Sequence, residues 1–525
     1  MSIPARLLLA LLTVGAPLIV ACGSSEARQR RETLIAAIEE DIRGSDPRRE
    51  RDGLADNVHL HVVEGLVGLG ADLEVAPMLA ERFDVSADGR TYTFVLREDV
   101  KFHNGATLTS EHVIWSWNYL MSPDSLWRCR PVFAGKDSTI TVQSVAAPDA
   151  RTIVYQLAQP SVSFLQTMAR PDCAQTPVLH PASLHPDGSW DHPIGTGPFV
   201  MGKRRVGEYA DLYRFAEYTA RKEAPDGLVG RKRAEVERVR FLIVGDHSSR
   251  MMGLQSGDID VAVIPAPLVE AARNNARIAL VQAETTVWDL LLLNSGDALL
   301  DDVRIRRAIS AAIDRDAVAK AVSYGQARGN PGPLPRSSRY HSQEEGAPAN
   351  LQTARALLKE AGYAGQPINI LANKRFTLMF DTAVVVQDML RAAGVNATIE
   401  VVEWGLQLDR FVSGGYQAQS FAFSGRFSPV GAWERIIGPE PRKVWKDPRA
   451  IEILRRAEST TDPTILADSL HELQRMFERD VPAVALFLPS LNVAMNKRVR
   501  GIEPTPFEAL RLWNVSIRHD AEVSL

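Results

Sequence analysis

Apolar positions along this chain alternate between two spacings, one suited to strands and one to helices. "TYTFVLR", residues 91–97, is rich in β-branched and aromatic side chains and predicts a strand, as does "VKF" at 100–102. Asn104-Gly105 follows as the pair that best tolerates the positive φ of a tight turn. Thr109 then stands before a helical run with Val113, Ile114, Trp117 and Met121, so its hydroxyl is placed to cap a helix whose first turn carries Glu111. The usual capping-box acid is missing, because His112 occupies the third helical position.

The same reading extends over the rest of the chain. "VHLHVVEGLVGL", residues 58–69, is an apolar element in which His59 and His61 share a face if the spacing is that of a strand. "VERVRFLIVGDHSSRMMGLQSGDIDVAVIP", residues 236–265, predicts a strand, a helix ended by Ser256-Gly257 and a second strand, a crossover unit suited to a parallel or mixed sheet. Asp258 and Asp260 there read as a helix stop and a strand start. In "DDVRIRRAISAAIDRDAVAKAV" two helices follow each other, with Asp314 opening the second. After a long irregular tract from "GNPGPLP" to Asn350, the helix "LQTARALLKEAGY" leads into alternating strands and helices through "ATIEVVEWGLQLDRF". "VPAVALFLP", residues 481–489, reads as a buried strand. No repeat of fixed period appears, which disfavours solenoids and propellers, and the chain is mixed α/β.

Composition adds scale and compartment. At 525 residues the chain exceeds one small core, and its 45% hydrophobic and 24% charged content is that of a globular protein. Nothing in the body reaches the ~20 apolar residues that cross a bilayer. At the N-terminus Arg6 precedes "LLLALLTVGAPLIVA", a run of the length and flanks of an export signal, ending at Cys22 in "IVACGSS". Net charge is −4. So nearly balanced a chain gives no argument for nucleic acid. Two further cysteines, Cys129 and Cys173, lie in polar, Pro-containing flanks, and an even pair in an exported chain is expected to close as a disulfide.

Candidate catalytic chemistry is thin. "REDVKFHNGATLTSEHVIWSW", residues 97–117, is dense in polar groups, yet His103 and His112 have no Cys or HExxH spacing to complete a metal site, so no metal or cofactor is expected. In "HPIGTGPFVMGKR", Gly197, Gly202 and Lys203 match the spacing of a phosphate-binding loop, but Arg204 stands where Ser or Thr must reach magnesium. With no GxSxG elbow and no CxxC, an exported hydrolase finds no support.

"AERFDVSADGRTYTFVLREDVKFHNGATLTSEHV" at 80–113, "GTGP" at 195–198 and "LQSGDID" at 254–260 resemble the peptide/nickel/opine class of extracellular solute-binding proteins, the family 5 receptors of ABC importers. The resemblance runs in order from about residue 33 to residue 517. It implies no enzyme but a two-lobed, periplasmic-binding-protein-like α/β fold of the class II, cluster C type, with a hinge and an extra subdomain. On that pattern residues 1–21 are a lipoprotein signal peptide and 22–32 a tether. Lobe I comprises 33–67, 190–285 and 490–525, the extra subdomain 68–189, and lobe II 286–489. The lobes would be joined near residues 286–289 and 487–489. Ile19-Val20-Ala21-Cys22 resembles a lipobox, which implies lipidation of Cys22 and a monomeric receptor anchored on the outer side of a bacterial membrane.

The implied function is capture of a peptide or other small polar solute by hinge closure, with an ABC permease as partner. A sensor or chaperone would need the same cleft. The resemblance points to Trp404, Phe423, Ser424 and Arg426 in the second lobe as ligand-binding residues, with Trp288 at the first hinge. In the family's dipeptide binders the tract resembling 421–429 carries an acid that meets the peptide's amino group, with Asp-Pro following. Here Arg426 and Ser428-Pro429 stand instead. A guanidinium in that place favours a carboxylate or phosphate over a free peptide N-terminus.

Overall fold

Three sheets of four or more strands draw those strands from separate stretches of the chain in the computed structural model, which describes residues 32–42, 44–49, 55–134, 140–342 and 346–518. The signal segment, Cys22 and nearly all of the tether lie outside the described residues. The first sheet has seven strands in the order Ile278–Glu284, Ser490–Asn496, Val261–Val263, Thr33–Ile38, Arg238–Ile243, Tyr209–Arg214, Phe199–Arg205. Thr33–Ile38 lies at its centre, parallel to both strands of the 236–265 crossover unit, and is almost wholly buried, as a strand covered on both faces must be. The intervening helix, His247–Ser256, begins where Asp246 accepts from the Ser249 amide (2.7 Å) and stops at Gly257, whose φ of +85° suits glycine.

The second lobe holds a mixed five-stranded sheet in the order Ala397–Val401, Ile368–Ala372, Ala418–Phe423, Trp288–Leu293, Ala483–Phe487. A third sheet is antiparallel: Ala80–Val85, Thr91–Leu96, Thr152–Leu157, Val142–Ala146. Its two central strands alternate buried and half-buried residues, the mark of one packed face, and Tyr155 meets Trp117 of helix Ser110–Met121 with ring centroids 5.2 Å apart.

Between the first and second sheets the chain crosses twice, at residues 285–287 and 488–489. Both the amide and the hydroxyl of Thr285 donate to the Pro489 carbonyl, at 2.9 and 2.8 Å, so the two crossings are tied side by side. Asp260, 1% exposed, is more than a strand start. Its carboxylate accepts from the Ile35 amide (2.9 Å) and from Arg498 Nε and Nη2 (2.9 and 2.6 Å), binding the central strand to the returning C-terminal segment.

Three local expectations change. Residues 58–69 are not one strand: Asp56–Val62 is a helix and only Val67–Leu69 forms a strand. At helical spacing His59 and His61 point to different sides. The buried His61 ring lies with Nδ1 2.7 Å from the Asn57 carbonyl, while its Nε2 accepts from the Leu512 amide at 2.9 Å. That arrangement requires a neutral ring, and burial pushes its pKa down to about 3. Residues 100–102 contribute a single bridge, Lys101 to Thr107, around the turn at Gly105. Finally, His112 does the work of the missing acid, its Nδ1 accepting from the Thr109 amide at 3.1 Å and lying 2.8 Å from the Thr109 hydroxyl.

Candidate ligand-binding cleft

A cavity of about 890 Å³ opens between the antiparallel subdomain and the second lobe. One wall comes from residues 125–132 with Ser163, Thr167 and Arg170; the other comes from Phe411, the segment following strand Ala418–Phe423, and helix Pro429–Glu434 with its continuation. The strand delivers its last residues to the cavity edge. Ser428 then starts the helix by accepting from the Gly431 amide at 3.2 Å, with Pro429 fitting the first helical position. On the facing wall Cys129 and Cys173 are joined with their Cα atoms 6.0 Å apart, which ties the segment carrying Arg128 and Arg130 to the one carrying Arg170 and Asp172.

Positive charge dominates. Among the described lining residues, eight arginines and lysines stand against three glutamates. Arg426 donates to the carbonyl of Gly425 at 3.1 Å, and burial, with Arg435 and Arg170 nearby, pushes its pKa down to about 9. Arg435 donates to Ser424 Oγ at 3.2 Å and lies 5.3 Å from the centre of the Phe423 ring; burial first, then Arg170, pushes it down to about 10. Across the cavity Asp172 receives a forked pair of bonds from Arg170 (2.9 and 2.6 Å), and Arg128 lies 3.9 Å away. Burial works to raise the Asp172 carboxyl, but Arg170, Arg128 and Arg426 outweigh it and hold it below its ordinary range.

The two walls also touch. Glu458, from the second lobe, accepts from Ser161 and from Ser163 (2.6 Å), and its carbonyl receives the Val162 amide at 2.8 Å. Phe427 leaves its own lobe, packing in the first lobe's core 5.7 Å from the Phe507 ring.

Of the five residues expected at the site, Phe423, Ser424 and Arg426 line the cavity. Phe423 is mostly buried, packed against Phe411 and Phe421. The structure does not bring the other two there. Trp404 opens helix Trp404–Ser413 and packs on Phe376 and Phe421, away from the cavity. Trp288 is 2% exposed in the second lobe's core, among Phe423, Trp433 and Phe477, because its strand turns that face inward. Arg435, Arg170, Asp172 and Glu458 escaped sequence reasoning. The basic residues flanking Cys129 in "WRCRP" were the one available signal.

The other polar tracts serve folding. The His103 ring bridges Gly197 and Gly195, with Nε2 3.0 Å from the Gly197 carbonyl and Nδ1 accepting from the Gly195 amide at 3.3 Å; burial pushes its pKa down to about 4. A Cβ on Gly195 or Gly197 would lie 2.2 or 2.5 Å from the carbonyls of Val62 and His61, so these glycines permit close backbone packing and wrap no phosphate. Among the described residues no group of three His, Cys, Asp or Glu could hold a metal, and no helix is long and apolar enough to cross a membrane.

Residues 74–433 match the family described as bacterial extracellular solute-binding proteins, family 5 Middle. The chain is similar to di/tripeptide-binding protein 2 of Pseudomonas aeruginosa, 27% identical over 523 residues, covering 94% of this chain and 96% of that protein. It is also similar to the glutathione-binding protein GsiB of Salmonella typhimurium, 26% identical over 487 residues, covering 89% and 91%. The solved structure of HbpA2 from Haemophilus parasuis superposes with a TM-score of 0.82 at 24% identity, covering 93% of this chain and all of that one. With a matched region spanning well over half its length, the chain belongs to the bacterial extracellular solute-binding proteins of family 5, and is a substrate-binding protein rather than an enzyme.

Proposed function

We propose that this protein captures a peptide or similar small polar solute between its two lobes and delivers it to the membrane permease of an ABC importer. One observation carries the reading: a cavity of about 890 Å³, a size suited to a small-molecule site, has its walls on two bodies linked by two short crossings. A solute that touches both walls binds the approached state better than the separated one, and so shifts the population toward it. The relatives named for di/tripeptide and glutathione binding support a peptide-sized solute. Phe423, Ser424 and Arg426 would form the second-lobe contact surface, with Arg426 meeting an anionic end.

Lipidation of Cys22 would hold the receptor beside its permease, with residues 22–32 as the tether. Mass spectrometry of the mature N-terminus should find a diacylglyceryl-modified Cys22, and any other starting residue would refute the anchor. Capture itself is tested by native mass spectrometry of the purified protein, offered a pool of short peptides. One bound peptide per chain is expected, and a chain that stays empty would overturn the reading.

A further inference from the structure

Resting on that reading, we infer that the cleft selects peptides carrying two carboxylates, with Arg426 and Arg435 together as the seat of the anionic groups. The two guanidiniums sit on one wall of the cavity. Their hydrogen bonds go to neutral oxygens, the Gly425 carbonyl and the Ser424 hydroxyl, and Arg435 Nε is buried without a partner. Among the described residues no carboxylate reaches either guanidinium within the 4.0 Å of an ion pair. Burial weakens each guanidinium's hold on its proton, and neighbouring cations add to it, Arg435 and Arg170 at Arg426 and Arg170 and Arg442 at Arg435.

Carboxylates near the seat are engaged or flank it. Asp172 faces it from the first wall, but its two oxygens are already forked by Arg170. The Glu458 carboxylate accepts from Ser161 and Ser163. Glu434, on the helix that leads to Arg435, acts on both guanidiniums from beyond ion-pair distance, as Asp172 does. A solute with one carboxylate therefore leaves one of the two guanidiniums with no carboxylate in direct reach, whereas a second carboxylate gives each a charge-assisted hydrogen-bond partner. A guanidinium also presents its donors in a planar fork that matches carboxylate geometry.

The test is calorimetry on the full mature chain with two near-isosteric dipeptides, Ala-Glu and Ala-Gln, which differ by one charge. Ala-Glu should bind at least tenfold more tightly. In Arg426→Gln and in Arg435→Gln, each checked for an unchanged melting temperature, that advantage should shrink to under threefold, chiefly through loss of Ala-Glu affinity. If a variant fails to fold, the comparison on the unmodified chain still decides, supported by competition from an equimolar pool of acidic and neutral di- and tripeptides read by native mass spectrometry. Equal binding of acidic and neutral peptides, or an advantage that survives both substitutions, would overturn the inference and leave peptide capture intact. Absence of any bound peptide would overturn both.

Discussion

Replacing Phe427 by alanine separates lobe approach from folding. The residue belongs to the second lobe by sequence, yet its ring is 7% exposed within the first lobe's core, 5.7 Å from Phe507. If the lobes part, this ring returns to water while the residues that build each lobe's own sheet keep their contacts. Burying a phenylalanine is worth about 1.5–3 kcal/mol, and an aromatic pair adds about 0.5–1.5 kcal/mol. Partial burial in the separated state reduces the sum, so about 2 kcal/mol is the working figure, roughly a thirtyfold shift away from the approached state. Small-angle scattering should show a larger radius of gyration for solute-free Phe427→Ala than for the unmodified protein. Affinity for the captured solute should fall by up to the same factor, since the competent state becomes rarer. A lower melting temperature with unchanged radius and unchanged affinity would make Phe427 part of a permanent core and rule out its role in lobe approach.

Asp260→Ala should destabilise by about 1–3 kcal/mol, read as a lower urea midpoint, because the Ile35 amide would lose its acceptor, while the partly exposed Arg498 can turn to water. Stability should also fall as pH drops from about 6.5 toward 3. Burial sets the His61 pKa at about 3 and that of His103 at about 4, both below the unfolded value, so the unfolded chain takes up protons first. Ring resonances of these two histidines should therefore show neutral imidazoles at pH 5, and titration near 6.5 would contradict their burial. Thiol labelling of the denatured, unreduced protein should find Cys129 and Cys173 both blocked, and reduction should cost about 2–5 kcal/mol.

How much could be read beforehand depended on how local each determinant is. Asp314 caps its helix through the Ala317 amide three residues on, and the strand–helix–strand order of 236–265 follows from spacing and one glycine, so both were legible. Residues 58–69 were not, because the alternation of Val58, His59, Leu60 and His61 imitates a strand, and the partner of the buried His61 ring is an amide 451 positions away. Trp288 failed for a related reason. "WDLLLL" is buried on both faces, Asp289 included, so the sequence does not show that the indole turns into the core beside Phe423. The charge on the cleft was half visible: Arg426 stood out in its tract, whereas Arg435 joins it through the turn of helix Pro429–Glu434, and Arg170 and Asp172 meet it only through the approach of two lobes.

Capture between two walls is tested most directly by hydrogen–deuterium exchange on the full mature protein, with and without its bound solute. Exchange should slow on both sides of the cavity at once, around residues 163–170 and around 423–435, with the crossings at 285–287 and 488–489 also affected. Protection confined to one wall, or lying away from the cavity altogether, would contradict capture between the two walls.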